Sequence, residues 1–373
     1  MQASRARVLI VGAGIAGLTL GYRLAQYGLF PIVVESGARI ANGSTICNEG
    51  WLHAGTFHAQ SIADSAQAVR VAQRCKYGHD QLRRFCPEAV QDPITPTIAL
   101  TLDASRVPEI LARWDAAQIE FQAVSPSTLR ALSPSLRHAD VEAAWRVREV
   151  SIDTRLLCHK IASAIETLGG AVLCNAAIER LALRSSSLWV DGETIRLSPD
   201  FIAVTAGYGV GPLVEAHFGV KLNLRYWKSH LFLSHRVDGP NIYGIDSRGA
   251  NLAHHRDRTI VGMNDDNLRI ETPSIAVDET QVAAMRDALD RLVADVDRDR
   301  FSPMACVKID ISDDPRRSRS LDIQTVEIEP NIVCAFPGKM SEAPFLADTL
   351  AREIVTKSGH LRSNQRPIDS LIA

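Results

Sequence analysis

The chain has 373 residues, 46% of them apolar and 23% charged, enough to bury one large core or two of ordinary size. A formal net charge of −2 with mixed signs excludes a chain-wide attraction to nucleic acid or anionic lipid, so charge-driven recognition has to be local. Seven scattered cysteines without a C-x-x-C pair argue against a zinc site or a disulfide framework and fit a cytoplasmic location, and no stretch is long and apolar enough to span a bilayer.

The first forty residues carry the strongest pattern. Val8 to Val11 is a short apolar run with β-branched residues, followed by the glycine-rich turn Gly12-Ala13-Gly14-Ile15-Ala16-Gly17 and a helical stretch that stops at Gly28. Pro31 to Glu35 then reads as a second strand ending in an acid. The arrangement predicts a β-α-β unit that holds a dinucleotide. Gly12, Gly14 and Gly17 let the backbone turn and approach a pyrophosphate, and Ile15 and Ala16 open a helix whose N–H groups face it. Glu35 can accept from a ribose hydroxyl.

The next segment, STICNEGWLHAGTF, sets Cys47, Glu49, Trp51 and His53 among small residues, unlike an ordinary surface loop. Downstream, Asp200 to Gly207 reads as another buried strand running into a small-residue turn, and Asn331 to Phe336 as a strand that reaches Pro337-Gly338-Lys339-Met340-Ser341. A helix follows, with Ala343, Leu346, Ala347, Leu350 and Ile354 at helical spacing, Ser341 as its cap and Glu342 in its first turn. A helix end there can stabilise negative charge on a reduced flavin, which an NAD enzyme does not require, so FAD is the expected cofactor.

Taken together, GAGIAG with Glu35, NEGWLHAG, SIDTRLL, AVTAG and PGKMSEAP occur in an order that resembles FAD-dependent oxidoreductases of the D-amino-acid oxidase superfamily. NEGWLHAG and PGK look most like the glycerol-3-phosphate and L-2-hydroxyglutarate dehydrogenase branch. The chain departs from the glycerol-phosphate pattern Gly-Gly-Lys-Leu-Thr at Pro337 and at Met340-Ser341. The resemblance implies that the loop after the second strand runs along the pyrophosphate and under the flavin ring. It puts Ser44, Thr45, Asn48, Gly50, Trp51 and Leu52 at the cofactor, together with Ile178, Ala206, Gly207, Gly338, Lys339 and Met340. Trp51 and His53 would also reach the substrate side. For His53 a structural hydrogen bond and a catalytic role are both open, and Cys47 is read as packing.

The fold expected is α/β (α+β overall): a Rossmann-like FAD-binding domain with an inserted mixed or antiparallel-sheet substrate domain. The first is discontinuous over residues 1–90, 146–218 and 314–373, and the second takes 91–145 and 219–313, with boundaries near Asp92-Pro93 and Asp314-Pro315. Segment 281–298 reads as an amphipathic helix with Val282, Met285, Leu289, Leu292, Val293 and Val296 facing a core. Between Lys221 and Arg258 cations outnumber acids, which suits a pocket for a carboxylate or phosphate. Within it, Tyr226, Lys228, His230 and Phe232 alternate along a strand and are expected to face the substrate, while Trp227, Ser229, Leu231 and Leu233 face a core.

The reaction expected is oxidation of a C–H bond beside a hydroxyl or amine of a small anionic substrate, with hydride passing to flavin N5 and electrons going on to oxygen or a quinone. His230 or His53 would take the heteroatom proton, and Lys228 would hold an anion or promote oxygen reactivity. Tyr226, His254, Arg256 and Lys339 complete the substrate set, and no metal is expected. An amino-acid oxidase on the same fold and a non-catalytic flavin-binding protein are the rival readings.

Overall fold

The computed structural model describes residues 7–91, 96–247, 249–264, 267–294, 297, 300–312 and 319–359. The expected boundaries at 92–95 and 313–317, with Arg248 and Val296, lie outside the described residues.

Two large sheets organise the described chain. The first has six strands in the order Gln324–Glu329, Ile332–Phe336, Phe201–Val204, Arg7–Val11, Phe30–Val34 and Ala171–Leu173. All neighbours are parallel except the first pair. Its central strands read as unbroken apolar runs because both faces are covered. On one side lie the helices Ile15–Gln26, Thr154–Thr167 and Ala343–Lys357. On the other lie the helix Val210–Phe218 and a three-stranded sheet made of Ala176–Arg180, Ser186–Val190 and Glu193–Leu197.

The second sheet has nine strands drawn from residues 97–147 and 224–311. Its longest strand, Leu224–His235, pairs antiparallel with Ser302–Ile311 and Arg258–Met263, and a single parallel contact joins Ile242–Gly244 to Thr97–Thr101. One face is packed by the helix Glu279–Leu292 through Val282, Met285, Ala288, Leu289 and Leu292. The other carries Tyr243, Ala253, Trp145 and Val147, packed against Trp51 and Phe57 of the loop that follows the second strand. That loop is therefore clamped between the two sheets.

Several local readings are corrected. The helix expected over 281–298 ends at Leu292, since Val293 is extended and bridges Leu136, and Ala294 donates to the Ser135 carbonyl at 2.7 Å. Ser341 does not cap the C-terminal helix: a 3-10 turn, Met340–Glu342, precedes that helix, and the Ser341 hydroxyl accepts from the His53 backbone N–H at 2.8 Å. Tyr226, Lys228 and His230 do share a face, but the face turned to the central cavity is that of Trp227, Ser229 and Leu231, as described below. The reason is that the helix Glu279–Leu292 covers the opposite side of the sheet. No helix among the described residues is long and apolar enough to cross a membrane.

Candidate functional site

Where Arg7–Val11 and Phe201–Val204 end, the chain parts and leaves a cavity of about 490 Å³ bordered by Gly12, Gly14, Glu35, Ser44, Thr45, Ile178, Ala206 and Gly207. The glycines serve different purposes. Gly12 holds a φ of +107, and a Cβ there would sit 2.7 Å from the Thr205 carbonyl oxygen. A Cβ on Gly17 would sit 2.0 Å from the Gly12 carbonyl oxygen, so Gly17 packs helix on turn and does not border the cavity. Of the three glycines in this turn, only Gly14 faces open space, with the Thr45 hydroxyl alone 3.0 Å from its would-be Cβ. The helix Ile15–Gln26 starts there with no cap from Gly14 itself and no acid in its first turn, so its positive end can receive an anion. Thr45 Oγ1 accepts from Ile15 N at 3.1 Å, and the Glu35 carboxylate accepts from Ala13 N at 3.1 Å and from Gly37 N at 2.9 Å.

A second cavity of about 180 Å³ shares Gly14, Ser44, Thr45, Thr205 and Gly207 with the first and runs on along Ile15, Ala16, Asn48, Trp51, Gly338, Lys339 and Met340. Asn48 fastens the loop: its amide donates to the Ser44 and Thr45 carbonyls at 3.0 and 2.6 Å, and its oxygen accepts from Gly50 N at 2.7 Å. Gly50 has a φ of +75, and a Cβ on it would meet the His255 ring at 2.4 Å. His255, not His254, therefore holds this loop, with Nε2 2.7 Å from the Glu49 carbonyl. Leu52, in the short strand Trp51–Leu52 beside Val150–Ser151, is fully buried in the first core and supports the loop from behind.

A third cavity, about 260 Å³, lies between the loop and the second sheet. It shares Glu49, His53, Lys308, Arg319 and Lys339 with the second, so the three form one channel. Its far wall is Trp227, Ser229, Leu231, Tyr243, Asn251 and Asn264. Three cations converge on the junction. Burial pushes the Lys339 amine down to about 7, helped by the Arg319 and Lys308 charges, and burial lowers Arg319 to about 10. Arg319 donates through Nη2 to the Gly338 carbonyl at 3.0 Å, while its Nε has no hydrogen-bond partner among the described residues. Trp51 Nε1 and His53 Nδ1 are likewise buried and without a partner there. Desolvation, reinforced by Lys339 and Lys308, holds the His53 imidazole well below its usual range and hence neutral near pH 7.

The residues expected at the substrate are dispersed. Lys228 donates to the Ala276 carbonyl at 2.8 Å, and His230 Nε2 accepts from Asp278 N at 3.1 Å, so both tie the strand to the segment leading into Glu279–Leu292. His230 also borders the third cavity, whereas Lys228 does not. The Tyr226 hydroxyl lies beside Gly211. His254 is fully buried between the Thr259 hydroxyl at 2.8 Å and the Pro240 carbonyl at 3.0 Å, and Arg256 is exposed in the turn between two strands. Arg225, another cation of the basic stretch, is locked to the buried Asp310 at 2.9 Å. The cations at the cavity come instead from Lys308 and Arg319, outside the stretch singled out by charge counting. Lys308 could have been found by alternation along Ser302–Ile311, while Arg319 follows no regular element and carries no local signal.

One packing contact gives a checkable consequence. A Cβ on Gly262 would fall 1.8 Å from Glu49 Oε1, the movable end of a side chain that Asn251 approaches at 3.4 Å. Gly262→Ala is expected to fold with its FAD and to shift substrate KM severalfold with kcat little changed, because Glu49 must swing within the third cavity. Unaltered KM in steady-state assays would show that Glu49 does not help to shape the pocket.

A doubly covered parallel sheet, a glycine turn at a helix N-terminus, and a channel ending in cations and a neutral imidazole define a flavin-dependent oxidoreductase. FAD fits the residues present: Gly14 leaves space for the pyrophosphate, Glu35 reaches the ribose side, and the partnerless donors of Trp51 and Arg319 lie where the ring would lie. The chain belongs to the FAD dependent oxidoreductase (DAO) family, which matches residues 7–336. It is 27% identical over 217 residues to a Pseudomonas aeruginosa protein named as a probable FAD-dependent oxidoreductase, covering 55% of this chain and 53% of that one. It is 30% identical over 173 residues to one component of the anaerobic glycerol-3-phosphate dehydrogenase of Escherichia coli, covering 45% of this chain and 30% of that one. The matches thus span about half of the first relative and under a third of the second. Among solved structures, L-alpha-glycerophosphate oxidase from Mycoplasma pneumoniae superposes with a TM-score of 0.74 at 15% identity, over 94% of both chains. Glycine oxidase from Geobacillus kaustophilus gives 0.70 at 15% identity, over 94% of this chain and 95% of that one.

Proposed function

We propose that this enzyme oxidises the C–H bond beside a hydroxyl group of a small anionic substrate held in the third cavity. Bound FAD supplies the hydride acceptor. The observation that carries the reading is the convergence of Lys308, Arg319 and Lys339 on the junction of the two cavities, with Glu49 as the only carboxylate bordering it among the described residues. Arg319 and Lys308 hold the carboxylate or phosphate, and the planar guanidinium fixes its orientation. Lys339 borders both cavities and answers negative charge on the pyrimidine side of the ring. His53, neutral and with a partnerless Nδ1, accepts the hydroxyl proton, because an uncharged imidazole within reach of the reacting group is a competent base. His230 has one nitrogen already engaged by Asp278 N and serves as support for the cavity wall.

Oxidation of an amine is the second reading, favoured by the equal extent to which glycine oxidase superposes. The experiment is anaerobic mixing of the purified yellow protein with small hydroxy acids, polyol phosphates and amino acids, following flavin bleaching and ammonia release. Bleaching by an anionic alcohol without ammonia is expected. Bleaching by amino acids alone would replace the first reading with the second, and bleaching by neutral alcohols in preference to anionic ones would remove the anion from it.

A further inference from the structure

Glu49 borders the third cavity, yet the cations gathered there do not neutralise it: it forms no ion pair with a described residue. A glycine makes room for it. Gly262 lies within the strand Arg258–Met263, and a glycine inside a strand marks the close approach of another group. Here that group is the Glu49 carboxylate, whose Oε1 would stand 1.8 Å from a Cβ on Gly262. Asn251, the cross-strand partner of Gly262, donates to the same oxygen at 3.4 Å. Asn251 is itself fixed, because its Oδ1 accepts from Gly244 N at 3.1 Å and its Nδ2 donates also to Asn264 Oδ1 at 3.0 Å, while Asn264 donates in turn to the Asp246 carbonyl at 3.0 Å. On the backbone side, His255 Nε2 donates to the Glu49 carbonyl at 2.7 Å. Oε2 is left without a donor among the described residues, so the carboxylate is held at one oxygen and open at the other. The wall offers a complementary group. Ser229 Oγ donates to Asn267 Oδ1 at 3.2 Å, the Asn267 amide nitrogen has no acceptor among the described residues, and both side chains border the same cavity.

We propose that Glu49 accepts a hydrogen bond from a second hydroxyl of the substrate, one that is not oxidised, and that the substrate is therefore a polyhydroxylated carboxylic acid of the sugar-acid type. Arg319 and Lys308 hold its carboxylate, Glu49 Oε2 accepts from the remote O–H, and the Asn267 amide donates to a hydroxyl oxygen. Three features of the surroundings select this class. Lys308, Arg319 and Lys339 all border the cavity, and their charges repel an ammonium but not a neutral O–H, so the donor that Glu49 meets is a hydroxyl. The same carboxylate repels a phosphate dianion more than a singly charged carboxylate, so the anion is the carboxylate. A ligand without the second hydroxyl leaves the open oxygen of Glu49 without a partner from the substrate, and a site built around a polar group discriminates against analogues that lack it. Simple 2-hydroxy acids are thus bound weakly even though they carry the reacting bond.

The inference rests on the reading of the third cavity as an anion-binding substrate site, and the test separates the two. Holoprotein is titrated anaerobically at about pH 8, where a phosphate monoester is a dianion, with ligands paired by hydroxyl number: lactate against glycerate, 2-hydroxybutyrate against erythronate, and the neutral pair propane-1,2-diol against glycerol. The change in flavin absorption, whether a band shift or bleaching, gives a half-saturating concentration for each. In the native protein the added hydroxyls should lower it about tenfold to a hundredfold in at least one acid pair, the range for a hydrogen bond to a charged group. The ratio should fall in Glu49→Gln and approach one in Glu49→Ala, while lactate and 2-hydroxybutyrate bind no more weakly, because a charge that repelled them is gone. FAD released on acid denaturation should match the native amount in both variants. Isoserine, which is glycerate with an ammonium in place of the 3-hydroxyl, and glycerol 1-phosphate should both bind more weakly than glycerate. A native ratio near one in both acid pairs, a ratio that survives in both variants, tighter binding of isoserine or glycerol 1-phosphate than of glycerate, or loss of FAD from both variants would overturn the proposal. A Glu49-dependent ratio confined to the neutral pair would confirm the contact to a hydroxyl and overturn the anion, here and in the reading it rests on.

Discussion

Gly14→Val is expected to give a folded, colourless protein. The Gly14 backbone has φ −76 and ψ 179, extended geometry open to any residue, so the substitution carries no conformational penalty of the left-handed kind. Only the Thr45 hydroxyl, 3.0 Å from the new Cβ, must yield by a few tenths of an ångström. The remaining methyl groups point into the cavity where the helix end would meet the pyrophosphate, and a bulky side chain there displaces the phosphate from those N–H groups. FAD affinity should fall at least about a hundredfold, near 3 kcal/mol. The measurement is the FAD released into the supernatant on acid denaturation, stoichiometric for the native protein and absent for the variant, with the two apoproteins melting at similar temperatures. A yellow variant with full FAD content would refute the placement, and flavin that stays with the native precipitate would show a covalent link. Gly17→Ala makes the contrast, since a Cβ 2.0 Å from a backbone oxygen disrupts the strand-helix turn itself and should cost the fold before it costs the cofactor.

Arg319→Met should lower kcat/KM by about 30-fold to several thousand-fold, corresponding to the roughly 2–5 kcal/mol lost when one partner of a buried charge pair is truncated. The loss should appear in KM, with kcat largely retained, because an anchor remote from the reacting bond binds ground state and transition state alike. Arg319→Lys should recover only part of it, as an ammonium cannot reproduce the planar two-nitrogen contact. Since Arg319 Nη2 also holds the Gly338 carbonyl, FAD stoichiometry is the control for a displaced turn. A neutral analogue of the true substrate should lose much less than the anion. Equal losses for both, with FAD retained, would mean that Arg319 shapes the channel without recognising charge.

The cofactor half of the site was legible along the chain because its residues are consecutive and their chemistry is backbone chemistry. Gly12, Gly14, Gly17 and Glu35 fall within one β-α-β unit, where spacing alone fixes which groups meet. Asn48 to Trp51 and Gly338 to Met340 were read from motif resemblance, and both stretches border or support the channel. The substrate half was not legible. Lys308, Arg319 and Lys339 reach one point from a strand, an irregular segment and a glycine turn, and no local pattern relates them. Alternation along Leu224–His235 correctly separated Tyr226, Lys228 and His230 from Trp227, Ser229 and Leu231, but period two is symmetric and does not say which side is covered.

What the sequence by itself determined is the β-α-β turn and the FAD it accommodates, since both depend on near neighbours in the chain. Only the tertiary structure decided which charges face the third cavity. The helix Glu279–Leu292 packs its apolar stripe against one side of the second sheet, and that burial turns Lys228 towards Ala276, spends His230 Nε2 on Asp278 N, and leaves the opposite side open to Lys308, Arg319 and Lys339.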